Sequence, residues 1–87
     1  MKKIIEDNYN SIVSRGLINS KTNAADFILK LEEEVQEFIN AELFYTGDRN
    51  EELADIILVC LNFAKHYNID IEQELKNKIE INFNRGK

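Results

Sequence analysis

Apolar residues recur along this chain at three- and four-residue steps, and polar breaks divide that pattern into four segments. In the first, about residues 2–14, Ile5, Tyr9, Ile12 and Val13 lie at helical spacing before Arg15-Gly16 ends the pattern. The connection Asn19-Ser20-Lys21-Thr22-Asn23 offers Thr22 or Asn23 as the cap of a long second helix over 23–45. Phe27, Ile28, Leu31, Val35, Phe38, Ala41 or Glu42, and Tyr45 trace its apolar stripe, which is too extended for a strand. Asp48, three positions before Glu51, supports a start for the third helix, over 51–67. Its stripe is Leu53, Ile57, Cys60 and Ala64, with Leu58, Leu61 and Phe63 outside it, so it is apolar on most sides and reads as central. Asp70 caps a fourth helix over 70–84, marked by Ile71, Leu75, Ile79 and Phe83 or Asn82.

These segments predict one all-α domain over 1–87, a four-helix bundle whose second and third helices are antiparallel across a short connection. A chain of 87 residues is near the size at which small cores rely on association. The surplus apolar surface of the third helix is best buried against another copy, which predicts a homodimer or homotetramer. The absence of proline and the presence of only three glycines suit this helical reading.

Charge narrows the partners. A net charge of −5 argues against a protein that grips a nucleic-acid backbone, but leaves room for a small anion if a metal ion offsets the carboxylates. The single cysteine, Cys60, sits in an apolar run and reads as a buried structural thiol, in keeping with a reducing cytoplasm. No stretch reaches the length of a membrane span, and the N-terminus lacks a signal-peptide pattern, so the expectation is a cytoplasmic protein. His66 reads as a surface residue, or one that favours the negative end of its helix dipole.

The candidate chemistry is acidic. Glu34 and Glu37 are three residues apart, as are Glu52 and Asp55, a spacing that puts each pair on one helix face. An acidic run such as Glu32-Glu33-Glu34 is ordinarily a solvated face. Two pairs on neighbouring helices beside apolar stripes ask for a cation, and carboxylate ligands without cysteine or histidine favour Mg2+, with Mn2+ as a substitute. A rigid antiparallel register sets Glu52 and Asp55 nearer Glu42 than Glu37, so the pairs meet only if the helix ends unwind or the second helix bends. Lys78, Asn82 and Arg85 recur at four- and three-residue steps on the fourth helix. They form either a phosphate- and nucleoside-contacting face or a solvated C-terminal end.

Glu33-Glu34-Val35-Gln36-Glu37 followed by Glu52-Leu53-Ala54-Asp55 resembles the signature of the MazG-like, all-α nucleoside triphosphate pyrophosphohydrolases. Lys78-Ile79-Glu80-Ile81-Asn82-Phe83-Asn84-Arg85 is similar to the segment that commonly closes that family's last core helix. The resemblance spans roughly Thr22 to Arg85. It implies an enzyme that hydrolyses a nucleoside triphosphate to the monophosphate and pyrophosphate. Glu34, Glu37, Glu52 and Asp55 would hold Mg2+, and Lys78, Asn82 and Arg85 would contact the nucleotide. Glu33 is a candidate water-orienting base, although about 100° around an ideal helix separates it from Glu34 and can turn it to solvent. The competing expectation is a non-enzymatic helical dimer, an interaction or regulatory module.

Overall fold

The computed structural model describes residues 1–85. It contains four helices, α1 (Lys2–Ser14), α2 (Ala24–Phe44), α3 (Arg49–His66) and α4 (Ile71–Asn84), and no strand among the described residues. Side-chain caps set three of the starts. The Asn23 carbonyl accepts from the Asp26 amide at 3.1 Å while the Asp26 carboxylate accepts from the Asn23 amide at 2.9 Å, a reciprocal pair that satisfies two orphan donors at the head of α2. Thr22 instead accepts from the Asn19 amide within the preceding loop. Asp48 accepts from the amides of Asn50 and Glu51, so α3 begins at Arg49, ahead of the expected Glu51. Asp70 accepts from the Gln73 amide and opens α4.

α2 and α3 pack against each other as a hairpin, and α1 packs on α3. On α2 the inward seam is Phe27, Leu31, Glu34, Phe38 and Ala41, with Phe27, Glu34 and Ala41 buried and the other two half-buried. Ile28 and Val35, expected on that stripe, are exposed. The alternating four- and three-residue step therefore runs through a glutamate. On α3 the buried residues are Leu61, Asn62 and Ala64. Leu53, Ile57 and Cys60 face outward, which corrects both the expected stripe and the expected burial of Cys60. A helix apolar nearly all round has no unique inner face in its sequence, and contact with α1 and α2 selects one side.

His66 joins three parts of the chain. Its Nε2–H donates to the Thr22 carbonyl at 2.9 Å, which leaves Nδ1 to accept from the Tyr9 hydroxyl at 2.9 Å. The ring also packs 5.1 Å from Phe27 and 5.0 Å from Tyr67, and Phe63 meets Phe27 edge-on. The surface role expected of His66 is therefore corrected to that of a half-buried clasp between α1, the loop before α2, and α3. A His66→Phe variant keeps the ring packing and loses both hydrogen bonds. It should lower the free energy of unfolding by about 1–3 kcal/mol in urea titration, the range for two lost neutral hydrogen bonds.

Among the described residues α4 makes no extensive packing with the other helices. Leu75, Ile79 and Ile81 are all exposed on it, and α2 adds exposed Leu29, Leu43 and Phe44. The accessible surface is 6715 Å² for a 10.2 kDa chain. A compact monomer of that mass exposes about 5,300 Å² by the usual scaling. The radius of gyration is 14.9 Å, where a compact domain of this length has about 12 Å. The chain is thus more open than its helix content requires.

Candidate metal centre

The α2–α3 hairpin brings three of the four expected carboxylates together. One oxygen each from Glu34, Glu37 and Glu52 lies within 4.8 Å of the others. The helices accomplish this without matching the pairs level for level. Glu42, which a rigid register would have set beside Glu52, is held by a two-pronged hydrogen bond from the Arg49 guanidinium at the end of the hairpin. Glu52 leans under Gly47, where its Oε1 lies 3.4 Å from the position a Cβ would take, and also joins the trio. α2 remains one continuous helix throughout. Long glutamate side chains, rather than an unwound helix end, close the gap.

Two members of the trio are withdrawn from solvent, while Glu37 is exposed. Glu34 is only 7% exposed and Glu52 is half-buried. Glu34 Oε1 accepts from Lys30 Nζ at 3.0 Å, but Glu34 Oε2 and Glu52 Oε2 are both buried with no hydrogen-bond partner. A buried carboxylate oxygen without a donor is costly in proportion to its charge. Two such oxygens on members of a three-carboxylate group could be satisfied by a hard divalent cation, which binds oxygen ligands and tolerates waters and phosphate in its remaining positions.

The charges register this arrangement. The Glu37 carboxyl is held above its ordinary 4.5, first by the negative charge of Glu34, then by the hydrogen bond its protonated form would donate to Glu34, partial desolvation, and the charges of Glu52 and Glu33. Lys30 is raised above its ordinary 10.5, chiefly by its hydrogen bond to Glu34. Because Glu37 takes up its proton more readily folded than unfolded, its contribution to stability is fully present below the unfolded value and is lost as pH rises through the folded one. A metal needs the carboxylates deprotonated. The rise in melting temperature on adding Mn2+ should therefore be largest near neutral pH and shrink on acidification through the elevated Glu37 value, before the ordinary carboxylate range of about 4 is reached. Melting curves with and without Mn2+ across that span test this, and a constant rise would count against Glu37 as a ligand.

The remaining expected residues lie around the trio. Asp55 is exposed, outside the group of three, and lines a cavity together with Glu34. Glu33 is exposed, with an oxygen 3.6 Å from Lys30 Nζ. Lys78, Asn82 and Arg85 are exposed at the far end of the chain, and no hydrogen bond or ion pair among the described residues ties them to the acidic group. Two basic residues absent from the expected set, Lys30 and Arg15, line the same cavity as Glu34. The four-residue step from Lys30 to Glu34 was a readable signal for the first; Arg15 offered none, since only the turn after α1 carries it to the cavity. Among the described residues, no helix is long and apolar enough to cross a membrane.

Comparison with protein-family models, with curated proteins and with solved structures finds no match.

Proposed function

We propose that this protein is a Mg2+-dependent nucleoside triphosphate pyrophosphohydrolase that converts a nucleotide triphosphate to its monophosphate and pyrophosphate. The observation that carries the reading is the pair of buried, partnerless oxygens on Glu34 and Glu52, with Glu37 beside them. The resemblance of the acidic motifs to MazG-like enzymes supplies the reaction, and the geometry supplies a seat for the ion such a reaction uses. When bound, a hard divalent cation neutralises the triphosphate and acidifies water. Glu34, Glu37 and Glu52 would hold it, with Asp55 approaching from the next turn of α3.

In this reaction a water oxygen attacks the α-phosphorus, and the bond from that phosphorus to the α–β bridging oxygen breaks. The bond's electron pair leaves on pyrophosphate, and Glu33, exposed on the same helix as Glu34 and Glu37, would take the water proton. Lys30, whose Nζ lies 3.0 Å from Glu34 Oε1, would contact phosphate oxygens of the substrate. Lys78, Asn82 and Arg85 reach substrate in this reading only from a neighbouring copy, because among the described residues α4 makes no extensive packing with its own hairpin. The surface excess of about 1,400 Å² per chain over a compact monomer doubles to a value within the range of obligate dimer interfaces, which supports a homo-oligomer.

The test is pyrophosphate release from a panel of ribo- and deoxynucleoside triphosphates with Mg2+ or Mn2+. Release that requires the metal and falls in both Glu37→Gln and Asp55→Asn supports the reading. Full activity in both variants removes the carboxylate assignment. No release across the panel, with no thermal shift on adding metal and a nonhydrolysable nucleotide, favours the non-enzymatic helical oligomer.

A further inference from the structure

The cavity that shares Glu34 with the acidic trio contains a polar feature that metal binding leaves unused. It occupies about 450 Å³ between α1, the loop after it, α2 and α3, within the size class of small-molecule sites. Its walls are largely apolar, with Ile12, Ile18, Phe27 and Val59 among them. Into this setting the chain places two amides, Asn8 from α1 and Asn62 from α3, joined by a hydrogen bond of 2.8 Å from Asn8 Nδ2 to Asn62 Oδ1. Asn62 is 7% exposed and sits between Leu61 and Ala64 on the buried side of α3.

An inter-helix tie alone does not account for these residues. Each primary amide carries two donor hydrogens and two acceptor lone pairs, and the single bond between them uses one of each. An apolar pair of similar volume would join the helices without burying the rest. What remains is both N–H groups and one lone pair on Asn62, and one N–H and the whole carbonyl on Asn8, so the pair keeps donors and acceptors on the lining of the cavity. Proteins read a nucleobase with that equipment, hydrogen-bonding its polar edge while apolar or aromatic side chains cover its faces. Glu34, Asp26 and Asp55 share the lining with Lys30 and Arg15. A ligand suited to it is flat, neutral and polar-edged in one part and, with a cation on the carboxylates, anionic in another.

We infer that Asn8 and Asn62 form the base-reading wall of a nucleoside subsite, with Phe27 and Ile18 covering the base and the acidic trio receiving the phosphates through its cation. The inference rests on the nucleotide reading of the trio and adds to it the residues that set which base is accepted. The polar edge differs from base to base and is what such amides would read; the polyphosphate is common to all.

The experiment measures calorimetric binding of adenosine, guanosine, cytidine, uridine and thymidine to the full chain without metal. The proteins compared are wild type, Asn62→Leu and Asn8→Leu, each checked for folding by circular dichroism. The expected result is a ranking of the nucleosides by wild type that collapses on the order of tenfold in both variants. The thermal shift produced by Mn2+ with inorganic tripolyphosphate, which has no base, should be unchanged. Should Asn62→Leu fail to fold, Asn8→Leu at its half-buried position carries the comparison. An unmoved ranking in a folded variant, or no nucleoside binding by wild type, overturns the inference whatever the metal does. A ranking that collapses while wild type shows no metal shift upholds the subsite and overturns the metal-dependent reading instead.

Discussion

Glu34→Leu should give a protein more stable than wild type in the absence of metal and without nucleotide hydrolysis. Glu34 is the one carboxylate on the inward seam of α2, between Leu31 and Phe38, with one oxygen on Lys30 and the other unpartnered. Leucine there completes the apolar step from Phe27 to Ala41 and relieves Glu37 of its nearest like charge. Exchanging a buried ionic group for a well-packed apolar one is neutral to stabilising by about 1–4 kcal/mol, so urea unfolding should shift to higher concentration. In the proposed metal site the same variant also loses a direct ligand. Since partners one shell further out already cost about 10- to 100-fold in affinity or activity, pyrophosphate release should fall by at least about 100-fold and the Mn2+-dependent rise in melting temperature should vanish. A stability gain paired with a loss of function marks a residue kept for its chemistry. If Glu34→Leu is instead strongly destabilised without metal, the Lys30 pair holds the fold together and the unpartnered oxygen has little to do with an ion.

A second large effect is expected from the exposed face of α4. Leu75 and Ile79 are one helical turn apart and both exposed, on a helix that, among the described residues, makes no extensive packing with α1, α2 or α3. In the proposed oligomer they are covered by a neighbouring copy. The double variant Leu75→Glu and Ile79→Glu should therefore sediment at the mass of one chain where wild type sediments at a multiple of it. Melting of wild type should rise with protein concentration and that of the variant should not. Loss of an interface of this size should lower the melting temperature by roughly 10 °C or more at micromolar concentration, taking about 4–8 °C per kcal/mol for a domain this small. Wild type sedimenting as a single chain at high concentration would leave α4 without a partner and would remove Lys78, Asn82 and Arg85 from any shared site. The two predictions are separable, since Glu34→Leu should leave the oligomer intact.

The all-helical class was legible because each level of the chain agreed with it. Helix-favouring composition, three- and four-residue apolar steps, and Asn23, Asp48 and Asp70 at the starts pointed to the same elements. The pairing of the acidic residues on shared helix faces was legible for the same reason: a three-residue step puts two carboxylates on one face whatever the helix packs against. Burial was read less well. Val35 was assigned to the seam and is exposed, whereas Glu34 beside it is buried. The step through Phe27, Leu31, Glu34, Phe38 and Ala41 was present in the letters, but a glutamate in such a series reads as an interruption until a neighbour closes over it.

By itself the sequence determined where the helices start and stop, which residues share a face, and that carboxylates rather than thiols or imidazoles form the acidic group. Those properties depend on hydrogen bonds and periodicities a few residues long. Tertiary packing decided that Glu52 joins Glu34 and Glu37 while Glu42 goes to Arg49, that Asp55 stays outside the trio, that His66 ties α1 and the loop before α2 to α3, and that Asn8 meets Asn62 across a cavity. The physical reason is that periodicity orders side chains around one axis, whereas the meeting of two side chains 54 positions apart depends on which face of each helix turns inward and how far its side chains reach. On a helix as uniformly apolar as α3, that choice belongs to its neighbours.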